Sequence, residues 1–217
     1  TTNLQYLEQL LTEEFVLSGA VYTNCLESFK PEEASIEVLD GGIQTTVQDF
    51  PGRIGHWDVG VPPCGPMDSY AFRIGNQLLG NAIDAPGLEL TLRGGSYRFR
   101  APMTICLTGA DMQATLDGEI VERYKTIQVA PQQVLLLQEV KEGMRSYLLV
   151  AGGLDIPKYL GSASTFTLGG FGGHNGRPLR TGDVLRVHTS EPVAPRFLEV
   201  VAQQKYTNEW EIGVIAG

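Results

Sequence analysis

Apolar positions along this chain recur at two different periods, and the change falls between residues 30 and 36. In the N-terminal part, Leu4, Leu7, Leu10 and Leu11 lie at helical spacing behind Asn3, and Thr12 precedes a second turn with Phe15 and Val16; Asn and Thr are residue types that cap helices. Ser18 and Gly19 end that segment. Lys30-Pro31-Glu32-Glu33 is polar and contains a helix breaker, so the boundary between a short N-terminal helical appendage and the main domain is expected there. From Ile36 the pattern alternates or gathers in short runs. Strands are predicted at residues 36–39, 87–92, 97–99, 104–107, 113–116, 119–121, 126–129, 134–138, 145–150, 184–187, 197–201 and 211–215. Asp117-Gly118 is a tight-hairpin signal between two of them. One good helix is predicted, over residues 68–79. Many short strands with a single helix predict a mainly β fold, a barrel or a sandwich. The last run, 211–215, ends the chain on an apolar strand with no closing element, so the barrel is expected to be incomplete at its C-terminus.

The segment from residue 44 to 81 is the densest in polar groups and turn formers. Pro51, Gly52, Pro62, Pro63, Gly65 and Pro66 fix an irregular loop that carries Gln48, Asp49, Arg53, His56 and Asp68. Ordered polar loops are where binding and chemistry concentrate. Asp68 can cap the helix starting at Ser69 or face a pocket. Arg53 can clamp carbonyls or serve the site directly. Arg73 and Asn76 share one helix face, opposite much of the Ala71, Ile74 and Leu78 stripe, and can clasp the loop or point into the site. Cys64 has only His56 nearby in sequence, which weighs against a thiol nucleophile. A second loop, Gly169-Gly170-Phe171-Gly172-Gly173-His174-Asn175-Gly176-Arg177, lacks the lysine and hydroxyl residue of a phosphate-binding loop and reads as a substrate-shaping loop. His188 follows a strand and reads as a surface residue.

Composition narrows the classes. The chain has 217 residues, with 16 basic against 25 acidic side chains and a net charge of −9, so it lacks the basic face that nucleic acid requires. No apolar run reaches membrane-spanning length. Cys25, Cys64 and Cys106 are odd in number and show no Cys-x-x-Cys spacing, which argues against a disulfide framework or a metal site. A reducing, cytoplasmic setting is expected.

The motif Thr46-Val47-Gln48-Asp49-x-Pro51-Gly52-Arg53, followed by Gly65-Pro66-Met67-Asp68, resembles the allophanate hydrolase subunit 2 family of biotin-dependent carboxyltransferase domains. The resemblance continues through Arg73, Asn76, Gly80-Asn81, Ala151-Gly152-Gly153-Leu154-Asp155, Tyr159-Leu160-Gly161-Ser162, Ser164-Thr165-Phe166, residues 172–177 and residues 179–183, so it covers nearly everything from Ile36 onward. Residues 36–217 then form a carboxyltransferase domain that stops short of the family's full length. Residues 1–33, with Thr2-Asn3-Leu4-Gln5-Tyr6-Leu7 and Gly19-Ala20-Val21-Tyr22-Thr23, resemble the C-terminal tail of a biotin carboxylase domain. Together the two resemblances imply a piece of a multidomain enzyme of the urea carboxylase or urea amidolyase type.

The resemblance implies a cyclophilin-like β-barrel and transfer of a carboxyl group from carboxybiotin to urea, giving allophanate. It implies catalytic roles for Gln48, Asp49, Arg53 and Asp68. Substrate or carboxybiotin contacts are implied for Gly65, Met67, Arg73, Asn76, Ser164, Thr165, His174, Asn175 and Arg177. Biotin would be carried on another domain, because none of the four methionines is followed by lysine. ATP would be used by the biotin carboxylase domain of the parent enzyme and not bound here. The implied partners are a second carboxyltransferase domain of the allophanate hydrolase subunit 1 type, the biotin carboxylase and biotin carrier domains, and urea. The isolated chain is expected to be inactive. A regulatory or 5-oxoprolinase-type member of the same family, or guanidine as acceptor, stay open as alternatives. The carboxylase-like tail at residues 2–29 favours the carboxyltransferase.

Overall fold

A computed structural model describes residues 10, 11, 13–19, 25, 34–188, 190–207, 209 and 211–215. The chain divides into two compact units, Thr1–Glu33 and Ala34–Gly217. In the first, helix α1 (Glu14–Leu17) is a single turn closed by Ser18 N–H on the carbonyl of Glu14 and Gly19 N–H on that of Val16. The expected caps Asn3 and Thr12, and the leucines at 4 and 7, lie outside the described residues.

The second unit is built on two antiparallel sheets. Its strands are β1 (Ser35–Asp40), β2 (Gln44–Gln48), β3 (Gly87–Thr91), β4 (Ser96–Phe99), β5 (Met103–Gly109), β6 (Thr115–Leu116), β7 (Glu119–Ile120), β8 (Thr126–Val129), β9 (Val134–Leu136), β10 (Arg145–Val150) and β11 (Val184–Arg186). One sheet runs β11-β1-β4-β9-β6-β7 and the other β2-β3-β10-β5-β8. The two-residue alternation of a strand decides what each face meets. Ile36, Val38, Tyr97, Phe99 and Leu135 from the first sheet share one buried core with Val47, Leu88, Leu90, Leu107 and Leu148 from the second. Each such side chain contributes roughly 1.5–3 kcal/mol of apolar burial. Asp117 and Gly118 both take positive φ, 50° and 90°, and join β6 to β7 as the hairpin that their sequence predicts.

The outer face of the five-stranded sheet carries the alternate residues, and helix α2 (Ser69–Leu79) packs there. Phe72 meets the ring of Tyr147 edge-on at 5.6 Å between centroids. Gly75 allows the close approach, since a Cβ there would lie 2.2 Å from Leu149 Cδ1. The buried positions of α2 are Ala71, Phe72, Gly75, Asn76 and Leu79, so the face expected from Ala71, Ile74 and Leu78 is rotated and Asn76 points inward. Asp68 is the N-cap, accepting from Ala71 N–H at 3.0 Å, a contact worth about 1 kcal/mol.

The mainly β class forms as expected, but among the described strands no barrel closes. Instead, irregular segments cover the outer strands of the five-stranded sheet. At β2, Thr165 N–H donates to Val47 O and Leu179 N–H to Thr45 O. At β8, a strap over residues 193–198 takes the part of a neighbour: Gln128 Nε2 donates to Val193 O, Thr126 N–H to Arg196 O, and Lys125 bridges Phe197. Residues 197–201 are therefore not a strand; they form this strap and a single 3₁₀ turn, Val200–Ala202. Residues 211–215 carry no strand either, and their apolar side chains are exposed. Conversely, Gln48, expected on the irregular loop, is the last residue of strand β2.

Candidate active site

Two clasps organise the loops. The first joins β2's C-terminal end to the Ser162–Ser164 stretch. Asp49 is buried, and its carboxylate accepts from Ser162 Oγ at 2.5 Å, Ser164 Oγ at 2.6 Å and Ala163 N–H at 2.8 Å. Arg53, 1% exposed, grips the same stretch through its carbonyls. Its Nη2 donates to Ser164 O at 2.8 Å and Ser162 O at 3.4 Å, and its Nε to Tyr159 O at 2.9 Å. Its guanidinium also lies 5.0 Å from the Phe171 ring centroid, a favourable cation–π placement. Opposite charges thus hold the amide and carbonyl sides of one peptide segment. Gly172 makes room for this with a φ of 72°, since a Cβ there would lie 2.1 Å from Ser164 O and 2.7 Å from Arg53 Nη2. Cys64, at φ 57° between Pro63 and Gly65, lies beside Arg53; burial pushes its thiol up, against the pull of the Arg53 charge.

The second clasp is a carboxylate–phenol pair on the outer sheet face. Thr46, Glu89, Tyr147 and Thr108 form one cross-strand row over four strands. Glu89 Oε2 accepts from Tyr147 Oη at 2.9 Å and from Met67 N–H at 2.7 Å, while the Tyr147 hydroxyl accepts from Asp68 N–H at 2.7 Å. Arg145 Nε stands 3.6 Å from Glu89 Oε1. Asp68 Oδ2 in turn accepts from Tyr206 Oη at 2.6 Å. Burial, then the neighbouring Glu89 charge, raises the Tyr147 phenol far above its ordinary range, and burial followed by the Asp68 contact does the same for Tyr206. Both phenols stay protonated donors. Two residues along β2 from Thr46, Gln48 donates Nε2 to Thr46 Oγ1 at 3.0 Å, yet its Oε1 is buried without a partner, as is Arg53 Nη1. Unmade hydrogen bonds of this kind cost about 1–3 kcal/mol each.

The remaining predicted residues fall into four places. Arg73 donates Nε to Ser69 O at 3.1 Å and stacks 4.9 Å from the Phe50 ring. Asn76 is fully buried, donating to Ala85 O and accepting from Asn81, whose amide also reaches Val150 O. Thr165 Oγ1 donates to Val47 O. In the glycine loop, Arg177 forms a two-pronged pair with Asp183 at 2.8 and 2.9 Å, and His174 Nε2 stands 3.3 Å from the same carboxylate. The Arg177 hydrogen bonds, opposed by burial, bring the Asp183 carboxyl down to about 2. Asn175 takes a left-handed φ of 57° in that turn. Gly65 sits against Pro51, with its φ at 82°, and the Met67 side chain is 71% exposed. His188 is exposed, as expected. Sequence reasoning passed over Glu89, Tyr147 and Tyr206. A charged residue between Leu88 and Leu90 was the available signal for Glu89, because a strand covered on both faces has no solvent side for it.

Residues 59–217 match the family model for the carboxyltransferase domain, subdomain A and B. The chain belongs to this carboxyltransferase domain family. The chain is 42% identical over its whole length to the urea amidolyase of Saccharomyces cerevisiae, of which it spans 12%. It is 41% identical over 156 residues to one of the subunits of Escherichia coli 5-oxoprolinase, a match that takes in 72% of this chain and 50% of that protein. Among solved structures, the Kluyveromyces lactis urea carboxylase superposes with a TM-score of 0.79 at 38% identity, covering 96% of this chain and 19% of that one. This carboxyltransferase domain is therefore homologous to the carboxyltransferase region of urea amidolyase and urea carboxylase. No described helix is long and apolar enough to cross a membrane.

Proposed function

We propose that this chain supplies part of the carboxyltransferase site of a biotin-dependent urea carboxylase, with carboxybiotin and urea as the two substrates. The observation that carries the reading is the extent of the similarity: the urea amidolyase match runs over the whole chain, whereas the 5-oxoprolinase match takes in 72% of it. In the reaction the bond between the biotin ureido nitrogen and the carboxyl carbon breaks, a urea nitrogen bonds to that carbon, and one urea proton passes to the ureido nitrogen. No net proton is left over. Such a step calls for a dry pocket with fixed hydrogen-bonding groups around a developing ureido oxyanion.

Two unpartnered polar atoms fit that chemistry. Gln48 Oε1 is an acceptor suited to the N–H groups of urea or of a ureido ring, and Arg53 Nη1 is a cationic donor suited to a carboxylate or ureido oxygen. Asp49 and the two serines hold the segment that Arg53 grips, and Met67 with Asp68 forms a separate turn held by Glu89 and Tyr147. The carboxylate of Asp49 already has three donors, which favours it as an anchor over a base. The biotin carboxylase, the carrier and a second carboxyltransferase domain are the partners in this proposal.

The test uses the full-length enzyme that contains this chain. Bicarbonate-dependent ATP cleavage should rise on adding urea, and Arg53→Ala or Gln48→Ala should abolish that rise while ATP-dependent carboxylation of biotin continues. Stimulation by guanidine in place of urea would reassign the acceptor. No stimulation by either would return weight to a 5-oxoprolinase-type or regulatory role.

A further inference from the structure

We infer that Glu89 is a positioning residue for the proposed carboxyl transfer, acting with Tyr147 to lock the backbone of the Met67–Asp68 turn; the inference rests on the carboxyltransferase reading. Two consecutive N–H groups are involved. Met67 N–H donates to Glu89 Oε2, and Asp68 N–H donates to the Tyr147 hydroxyl, which itself donates to the same Glu89 oxygen. A buried strand carboxylate and a buried phenol thereby hold two successive peptide groups of a loop that has no regular structure of its own. Met67 shows what is being held: its backbone is tied to the sheet while its side chain stands 71% exposed. Just beyond it, Asp68 has one carboxylate oxygen on the first turn of α2 and the other on Tyr206. The turn is thus fixed from below by the sheet, from behind by the helix and from the side by the segment that carries Tyr206.

Fold stability alone gives little reason for a carboxylate at position 89. The same outer face packs Phe72, Tyr147, Leu149 and Cys106 as an apolar cluster, and replacing a buried ion by well-packed apolar groups is often neutral or favourable. Glu89 is only 8% exposed, and its charge is met by two hydrogen bonds and by Arg145 at 3.6 Å. What the carboxylate supplies that a leucine would not is a fixed acceptor for the turn. The arrangement also means that the amides of Met67 and Asp68 are occupied. They are not oxyanion donors, and the turn contributes to the site through its shape and its side chains.

Amide hydrogen exchange and half-reaction kinetics test this together. In the wild-type protein the Met67 and Asp68 amides should both be protected. Tyr147→Phe, which keeps the ring on Phe72, should speed exchange at Asp68 by about fivefold or more, and Glu89→Leu, which removes the acceptor, should do so at Met67. In the full-length enzyme, both variants should lower the maximal rate of urea-stimulated turnover by about 10- to 100-fold. The KM for urea and the biotin carboxylation half-reaction should each stay within about threefold. A residue that merely holds the fold would depress both half-reactions alike, and that result overturns the inference. So would unprotected Met67 and Asp68 amides in the wild type, or normal urea-stimulated turnover in Glu89→Leu. A wild-type enzyme with no urea-stimulated turnover at all removes the reaction itself, and the positioning role falls with it. That failure is recognised by its appearing before any substitution is made.

Discussion

Replacing Asp49 isolates the contribution of the first clasp. Its carboxylate accepts from two serine hydroxyls and one backbone N–H, at 2.5, 2.6 and 2.8 Å, and the residue is 3% exposed. Hydrogen bonds to a charged group are worth about 1.5–3 kcal/mol each, but three sharing one acceptor are not additive. For Asp49→Ala the expected loss is about 3–5 kcal/mol, the range for removing one member of a buried polar set. Asp49→Asn should lose less, about 2 kcal/mol. Both serine hydroxyls can rotate to accept from the new amide, whereas the Ala163 N–H cannot turn and keeps only the carbonyl oxygen as its acceptor. Against a total stability of about 5–15 kcal/mol, the alanine variant is close to the folding threshold. Guanidinium chloride unfolding followed by tryptophan fluorescence should show the midpoint falling by about 1 M for alanine and by about half that for asparagine. If both variants unfold within about 0.2 M of the wild type, the clasp carries no weight and the argument for Asp49 as an anchor fails.

Other substitutions test separate parts of the structure. Gly172→Ala puts a Cβ into Ser164 O and Arg53 Nη2 at a φ of 72°; it should cost about 1–3 kcal/mol in chemical unfolding, and a neutral result would mean the loop yields freely. Asp183 has its carboxyl lowered from 3.8 to about 2, first by the Arg177 hydrogen bonds. A lowered folded value stabilises above the unfolded one, so roughly 2 kcal/mol should be lost as pH falls from about 4 to about 2. Arg177→Met should flatten that part of the stability–pH curve, and an unchanged slope would refute the pairing. The Cys106 thiol is fully buried and pushed up to about 12 by desolvation. It should resist a disulfide reagent at mildly alkaline pH until the protein unfolds, and labelling of the native protein at Cys106 would contradict the packing.

The legible parts of this chain are those where one force decides. Residues 126–129 and 145–150 read as strands and are strands at those bounds, because Ile127 and Val129 alternate toward the core and Tyr147 to Val150 form an apolar run buried on both faces. Asp68 and Asp117-Gly118 were legible for a local reason, since a cap and a tight turn need nothing beyond their own neighbours. The misread segments invert this. Gln44–Gln48 is polar enough to pass for loop, yet Thr46 and Gln48 lie on an outer sheet face that loops close over. Residues 197–201 and 211–215 alternate like strands, yet most of their apolar side chains are exposed. At the site, the motif residues Asp49 and Arg53 were identified, but which backbone groups they hold depends on residues 159–164, far along the chain. Glu89 and Tyr147 lie 58 positions apart, and only the cross-strand register brings them together.

The covered borders of the five-stranded sheet have a consequence for behaviour in concentrated solution. A sheet that does not close ordinarily offers two rows of free amides and carbonyls to any extended peptide nearby. Here the β2 row is engaged by Thr165 and Leu179, and β8 is met by the strap through Thr126 N–H on Arg196 O and the Gln128 side chain on Val193 O. The protein thereby resists templated strand addition on both flanks while keeping an open sandwich. The protection is conditional, because a strap held by a few hydrogen bonds can be lost to proteolysis or truncation. A chain shortened to residue 192 would bare β8 and should assemble through it.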